Sequence, residues 1–248
     1  MAYIAEMARK SEVARPRVRR AAKNPVRSRA VRKRTAPRAG ASEDAPYHHG
    51  ALRDALLEAA ERVLERDGVA GLTLRAVARE AGVSHAAPTH HFGDLTGLVS
   101  ELAAIGFRQF NTAMELADAV GNSPIEKALA GAKAYVAYAQ AHPGMYGLMF
   151  RAERLDMTRP SLHEAAGAAF AGLAGAVGVS RHAQISEQAL SLGQAAAIAR
   201  TWSLVHGFTM LLLDGRLSDI LRRLPKGTDA ETLLDAMLKS TVGRPPGA

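Results

Sequence analysis

Thr73-Leu-Arg-Ala-Val-Ala-Arg-Glu-Ala-Gly82-Val-Ser84-His-Ala-Ala-Pro88-Thr-His-His-Phe92 is the stretch whose pattern decides the fold. Thr73 is a good N-cap, and Leu74, Val77 and Ala78 turn inward along a short helix. Two short helices that cross steeply need small residues where their axes come close, and Ala78 and Ala81 supply them. Gly82 ends the first helix and tolerates the positive φ that the corner demands. Val83 is placed to tuck under that corner, and Ser84 to satisfy the free N–H groups of the helix that follows. A pair of this kind sets the N-terminal residues of its second helix against base edges in the major groove of DNA. An ordinary αα-corner uses the same glycine and caps, so the flanking elements must carry part of the argument.

Upstream, the spacing predicts a helix over about 48–67, with Leu52, Leu56, Ala60 and Val63 on one stripe and Gly68 as its stop. Downstream, Asp94 caps a long helix carrying Val99, Leu102, Gly106, Phe110 and Ala113 along one face. Ser123-Pro124-Ile125-Glu126 is a capping box with proline at the first helical position, and that helix ends near His142-Pro143-Gly144. Further helices are predicted at 145–152, 160–177 and 185–213, with a weak turn near 216–223. Thr228 to Glu231 repeats the capping pattern before a last helix ending near Val242. No segment alternates with period two for long enough to form a strand, so the fold class is all-α.

Charge is placed unevenly. Residues 1–46 hold 13 Lys/Arg and 4 Asp/Glu, a net of +9, while the other 202 residues hold 19 and 20, a net of −1. With prolines at 16, 25, 37 and 46 and no sustained apolar face, residues 1–46 read as a disordered basic tail suited to polyanions. The chain has no cysteine, hence no disulfide framework or thiolate metal site. No run approaches about 18 consecutive apolar residues, and no apolar segment follows the N-terminal basic residues as in a secretory signal. A soluble, cytoplasmic protein without membrane contact is the expectation. His48-His49 and His90-His91 are adjacent pairs that splay around a helix without carboxylate partners, a poor arrangement for a metal. No Gly-x-Ser-x-Gly, phosphate-cradling loop or Cys/His nucleophile pair is present, so neither an enzyme nor a cofactor is expected.

Residues 47–100 resemble the DNA-binding domain of the TetR/AcrR family of bacterial repressors. The likeness rests on Thr73, Ala81-Gly82-Val83-Ser84, His91-Phe92, Asp94 and Leu98. Ala87-Pro88, His142-Pro143-Gly144-Met145-Tyr146 and Trp202…His206-Gly207 resemble the subgroup with a C-terminal Trp…His-Gly motif, and the match runs over about 47–240. The resemblance implies about nine helices, with a DNA-binding domain at 47–93 and a ligand-binding and dimerisation domain at 94–243. It also implies a homodimer on double-stranded, palindromic operator DNA, the last two helices pairing with the second subunit and a small-molecule effector releasing the DNA. The chain departs from the family at Thr89 and His90, where tyrosines are common, and near Gly93 and Leu95, where a lysine is common. Pro88 within the second helix is a further departure.

The residue types then assign expected roles. Thr73, Arg75 and Ser84 suit phosphate contacts, and His91 matches the family's histidine beside the backbone. His85, Ala86, Ala87, Thr89 and His90 fall on the base-facing side, where methyl groups meet thymine and Thr or His bonds base edges. Phe107, Tyr135, Tyr138, Met145, Tyr146, Met149, Phe150, Trp202, His206 and Met210 are candidates to line an effector cavity, although residues at this spacing also serve as plain core. Gly207 beside His206 allows close helix approach. Leu211, Leu212, Leu213, Leu233, Leu234, Met237 and Leu238 are the apolar set expected at the dimer interface. A different class of function, a DNA-organising protein dominated by its basic tail, uses the same head and charge.

Overall fold

The computed structural model describes residues 45–180, 185 and 189–242. The tail up to residue 44 therefore lies outside the described residues. Ten α-helices and one 3-10 turn occur among them, with no strand. They are α1 (Ala45–Gly71), α2 (Leu74–Glu80), α3 (Ala87–Phe92), α4 (Leu95–Asp118), α5 (Pro124–Ala141), α6 (Pro143–Met149), α7 (Pro160–Ser180), α8 (Leu192–Leu213), α9 (Ser218–Leu221) and α10 (Ala230–Val242). The tenth helix, relative to the nine expected, is the single turn α9. Gly68 breaks α1 with φ 66°, as its role as a stop required, and helix resumes for three residues beyond it.

Capping chemistry explains most boundaries. The Thr73 hydroxyl accepts from Ala76 N–H at 3.1 Å, and Asp94 Oδ1 accepts from Gly97 N–H at 2.7 Å. Ser123 Oγ accepts from Glu126 N–H at 3.3 Å, while the Glu126 carboxylate reaches one residue further back, to Asn122 N–H at 2.8 Å. Ser191 and Gln194 form a full capping box that starts α8 at Leu192 rather than at 185. The last helix is capped by Asp229, whose Oδ1 accepts from Thr232 N–H at 2.8 Å, so the cap stands one residue later than Thr228.

A continuous core runs through the molecule. Leu56, Ala60, Val63 and Leu64 of α1 meet Val77 of α2, Phe92 of α3 and Leu98 and Leu102 of α4. The same core continues through Phe107 and Phe110 into α5, α6, α7 and α8. Leu56, Leu64, Leu98 and Leu102 are fully buried, so truncating any one to alanine costs about 2–5 kcal/mol. The 24 residues of α4 thus belong to both halves of the core and tie the three-helix head to the helices behind it.

A second, small core of Ala174, Val177, Ala197 and Ile198 joins the end of α7 to the start of α8. Length and hydropathy alone would let α7 and α8 cross a membrane. Both bury a stripe against the body, Leu162 and Ala165 on α7 and Val205 and Phe208 on α8. In α10, Leu234 is fully buried and Leu233, Met237 and Leu238 pack partly buried on the main core. Most of the apolar set expected at a subunit interface from 228–242 is therefore used inside the protomer. The large apolar side chains left exposed on α7 and α8 are Val179, Leu192, Trp202, Met210 and Leu211.

Candidate DNA-reading face and aromatic–histidine cluster

The turn between α2 and α3 is a Schellman closure. Gly82 sits at φ 68°, Gly82 N–H donates to Arg79 O at 3.2 Å and Val83 N–H to Ala78 O at 3.0 Å. Ser84 does not cap α3 through its side chain. The N-cap is Ala86, which makes no side-chain bond, and it is the Ser84 carbonyl that accepts, from Ala87 N–H at 3.0 Å. Pro88 lies in the first turn, where its missing N–H costs least, and its ring is fully buried. Phe92 anchors the other end of the helix in the core.

These two anchors orient the rest. Thr73, Arg75, Ser84, His85, Ala86, Thr89 and His90 are exposed together on this part of the head. Ala87 and His91 are half-buried, Ala87 packing on the core and His91 lying beside the rings of His90 and Phe92. Behind the face, Glu80 receives Arg62 at 3.1 Å and Arg66 at 2.9 Å, which fastens α2 to α1. Those bonds hold the Glu80 carboxyl below its usual range, Arg66 contributing most.

The candidates from the larger half converge around one imidazole. Tyr146 Oη lies 2.8 Å and Tyr135 Oη 2.9 Å from His206 Nδ1, and the two phenols are 3.2 Å apart. With Nδ1 unprotonated, it accepts from one phenol while the second donates to the first, so the three polar atoms satisfy one another. Phe150 stands 4.7 Å and Trp202 6.1 Å from the imidazole, centroid to centroid, and Phe107 packs edge-on to Phe150. Burial pushes both phenols up, Tyr146 far above the ordinary range, and pushes His206 down. The cluster is therefore neutral at pH 7 and holds no fixed charge.

Tyr138 adds a bond to the Gly106 carbonyl at 2.9 Å, and Met145 and Met149 close the space over Gly106. Phe110, read from the sequence only as part of an apolar stripe, lies edge-on to Tyr135 and Tyr138. Met210, one turn beyond His206 on α8, is exposed. The close approach expected at Gly207 occurs at Gly106 instead. A Cβ on Gly207 would meet nothing within 4 Å, whereas one on Gly106 would fall 2.7 Å from Met145 Cγ.

Comparison with known proteins follows the same division. Residues 56–102 match the bacterial regulatory proteins of the tetR family, and residues 128–241 match the tetracyclin repressor-like C-terminal domain. A protein of unknown function from Rhodococcus sp. RHA1 is 33% identical, with a TM-score of 0.63 over 80% of this chain and 97% of that one. An uncharacterized HTH-type transcriptional regulator of Mycobacterium tuberculosis is 28% identical over 210 residues, 84% of this chain and 88% of that protein. The fold is also that of the regulator FadR from Bacillus subtilis in complex with stearoyl-CoA, at 16% identity and a TM-score of 0.56 over 77% of this chain and 97% of that one. A helix-turn-helix head and a repressor-like C-terminal domain, matched in order along one chain, place it in the TetR family of bacterial transcriptional regulators.

Proposed function

We propose that the protein is a ligand-responsive repressor, a homodimer that grips two half-sites of a palindromic operator through α2 and α3 and lets go when a small molecule enters the aromatic–histidine cluster. The observation that carries this proposal is the position of α6. That helix bears Tyr146, Met145 and Met149, and its Gly144 is pressed against α1, where an added Cβ would come 3.0 Å from the Leu64 carbonyl. A molecule that displaces Tyr146 from His206 moves α6, and α6 cannot move without disturbing the first helix of the DNA head. Because the cluster holds no fixed charge, the effector is an apolar molecule with one or two hydrogen-bonding groups.

The second copy docks on α8 and the end of α7, where Trp202, Met210 and Leu211 of α8 and Val179 of α7 are exposed. Two heads spaced about one turn of DNA apart, roughly 34–36 Å, match successive major grooves. The test is footprinting of a duplex selected by the full-length protein from randomised DNA. Discrete, two-fold symmetric protection supports the repressor, and loss of that protection on adding an apolar effector completes the case. Diffuse coverage without symmetry supports the DNA-organising alternative carried by the basic tail.

A further inference from the structure

Arg159 precedes α7 by one residue, yet its side chain ends at the DNA-reading helix. Its Nη2 donates to the carbonyl of Phe92, the last residue of α3, at 3.1 Å. Its Nη1 lies 3.5 Å from Glu101 Oε1, and the other Glu101 oxygen accepts from Arg53 of α1 at 2.7 Å. The Arg53 guanidinium in turn sits 5.4 Å over the Phe92 ring. Two arginines therefore hold Phe92, one by its ring and one by its carbonyl, with one carboxylate between them.

The surroundings keep this arrangement in place. Asp156, 3.8 Å from Arg159 Nε, donates its backbone N–H to the buried Ser100 hydroxyl of α4 at 2.8 Å. Gly97 leaves the necessary room, since a Cβ there would fall 2.0 Å from the Phe92 carbonyl and 2.4 Å from Arg159 Nη2. A cation suits the carboxyl end of a helix, and only the planar fork of arginine serves a carbonyl and a carboxylate together. The joint it spans is a weak one. Between α3 and α4 stand only Gly93, at φ 84°, and the cap Asp94.

We propose that Arg159 is a positioning residue that locks the Gly93 joint, fixes the angle at which α3 is presented, and so sets the half-site spacing the dimer accepts, without touching DNA. The proposal rests on the dimeric, paired-half-site reading above. One inserted base pair moves two half-sites about 3.4 Å apart and turns them by roughly 35°, which locked heads do not follow and loosened heads do.

The experiment compares a duplex selected by the wild-type protein from randomised DNA with the same duplex lengthened by one base pair at its centre. The wild-type protein should bind the lengthened duplex at least about tenfold more weakly. Arg159→Met, which keeps the stem and loses the fork, should bind the two within about threefold, and Glu101→Gln should shift the ratio in the same direction. A wild-type ratio in both variants, even with weaker binding overall, overturns the positioning role and leaves the repressor standing. A wild-type protein that selects no two-fold duplex at all brings down the repressor proposal, and this one with it.

Discussion

Tyr146 and His206 stand 60 residues apart in the chain and 2.8 Å apart in the fold, a phenol against an imidazole nitrogen. Their meeting gives the body a group whose protonation state is tied to its packing. Burial holds His206 below the ordinary histidine value of about 6.5, which the unfolded chain retains.

Above about pH 6.5 the imidazole is neutral in both states and adds no pH dependence. As pH falls below that value the unfolded chain takes up the proton first, so stability declines until the folded imidazole itself titrates. The melting temperature of the wild-type protein should therefore fall more between about pH 7.5 and 5 than that of His206→Gln, which keeps a polar partner for the phenols but does not titrate. Melting curves by circular dichroism across that range decide it, and equal declines in the two proteins would count against a neutral buried imidazole.

Two glycine-to-alanine changes should move stability in opposite directions. At Gly106 the new methyl meets Met145 and Met149, both nearly fully buried, and overpacking of about 1–3 kcal/mol outweighs a helix-propensity gain of about 1 kcal/mol. At Gly131 of α5 nothing lies within 4 Å, and only the gain, up to about 1 kcal/mol, remains. Urea denaturation of the pair gives both signs in one series.

Thr89→Ala and His90→Ala should each weaken binding to the selected duplex by about 1–3 kcal/mol while leaving binding to scrambled DNA nearly unchanged. Both residues are exposed on α3, while the helix is held from behind by Pro88 and Phe92, so neither change should disturb the fold. Gel-shift titrations on the two DNAs measure this, and equal losses on both would remove these residues from base reading.

The basic tail should show itself in salt dependence. If each subunit places two or three of its arginines on phosphates, the slope of log affinity against log salt steepens by about 4–5 for the dimer. The comparison is between the full chain and a chain beginning at Ala45, from about 50 to 300 mM salt. Parallel slopes would make the tail a passenger.

The head was legible because its determinants are local. Thr73, Gly82 and Asp94 act on backbone within a few residues of themselves, and each stands where its chemistry placed it. Where two residues offered the same chemistry, the choice went to the neighbour. Asp229 took the cap read for Thr228. Ser84 is a different case: the N-cap falls on Ala86, whose side chain has nothing to bond with, and Ser84 serves the turn through its carbonyl. Composition named the rings of the aromatic–histidine cluster, but Tyr135, Tyr146 and His206 come from three helices, and no spacing rule brings them to one point. Arg159 carried no signal at all, since an arginine beside a proline in a polar loop looks like a solvated charge until its carbonyl partner is seen.

The double anchoring of α3 has an evolutionary consequence. Of its six residues, Pro88 and Phe92 are committed to the interior, and Ala87 and His91 are half committed. Mutation there is filtered by folding before any DNA is met. Thr89, His90 and the short run Ser84-His85-Ala86 escape that filter, because their side chains face solvent in the free protein. If α3 reads bases as proposed, sequence preference can thus drift, or be redesigned, through five exposed positions at little cost to stability. Descendants of this chain can change that exposed face while inheriting the same body and the same Arg159 clasp.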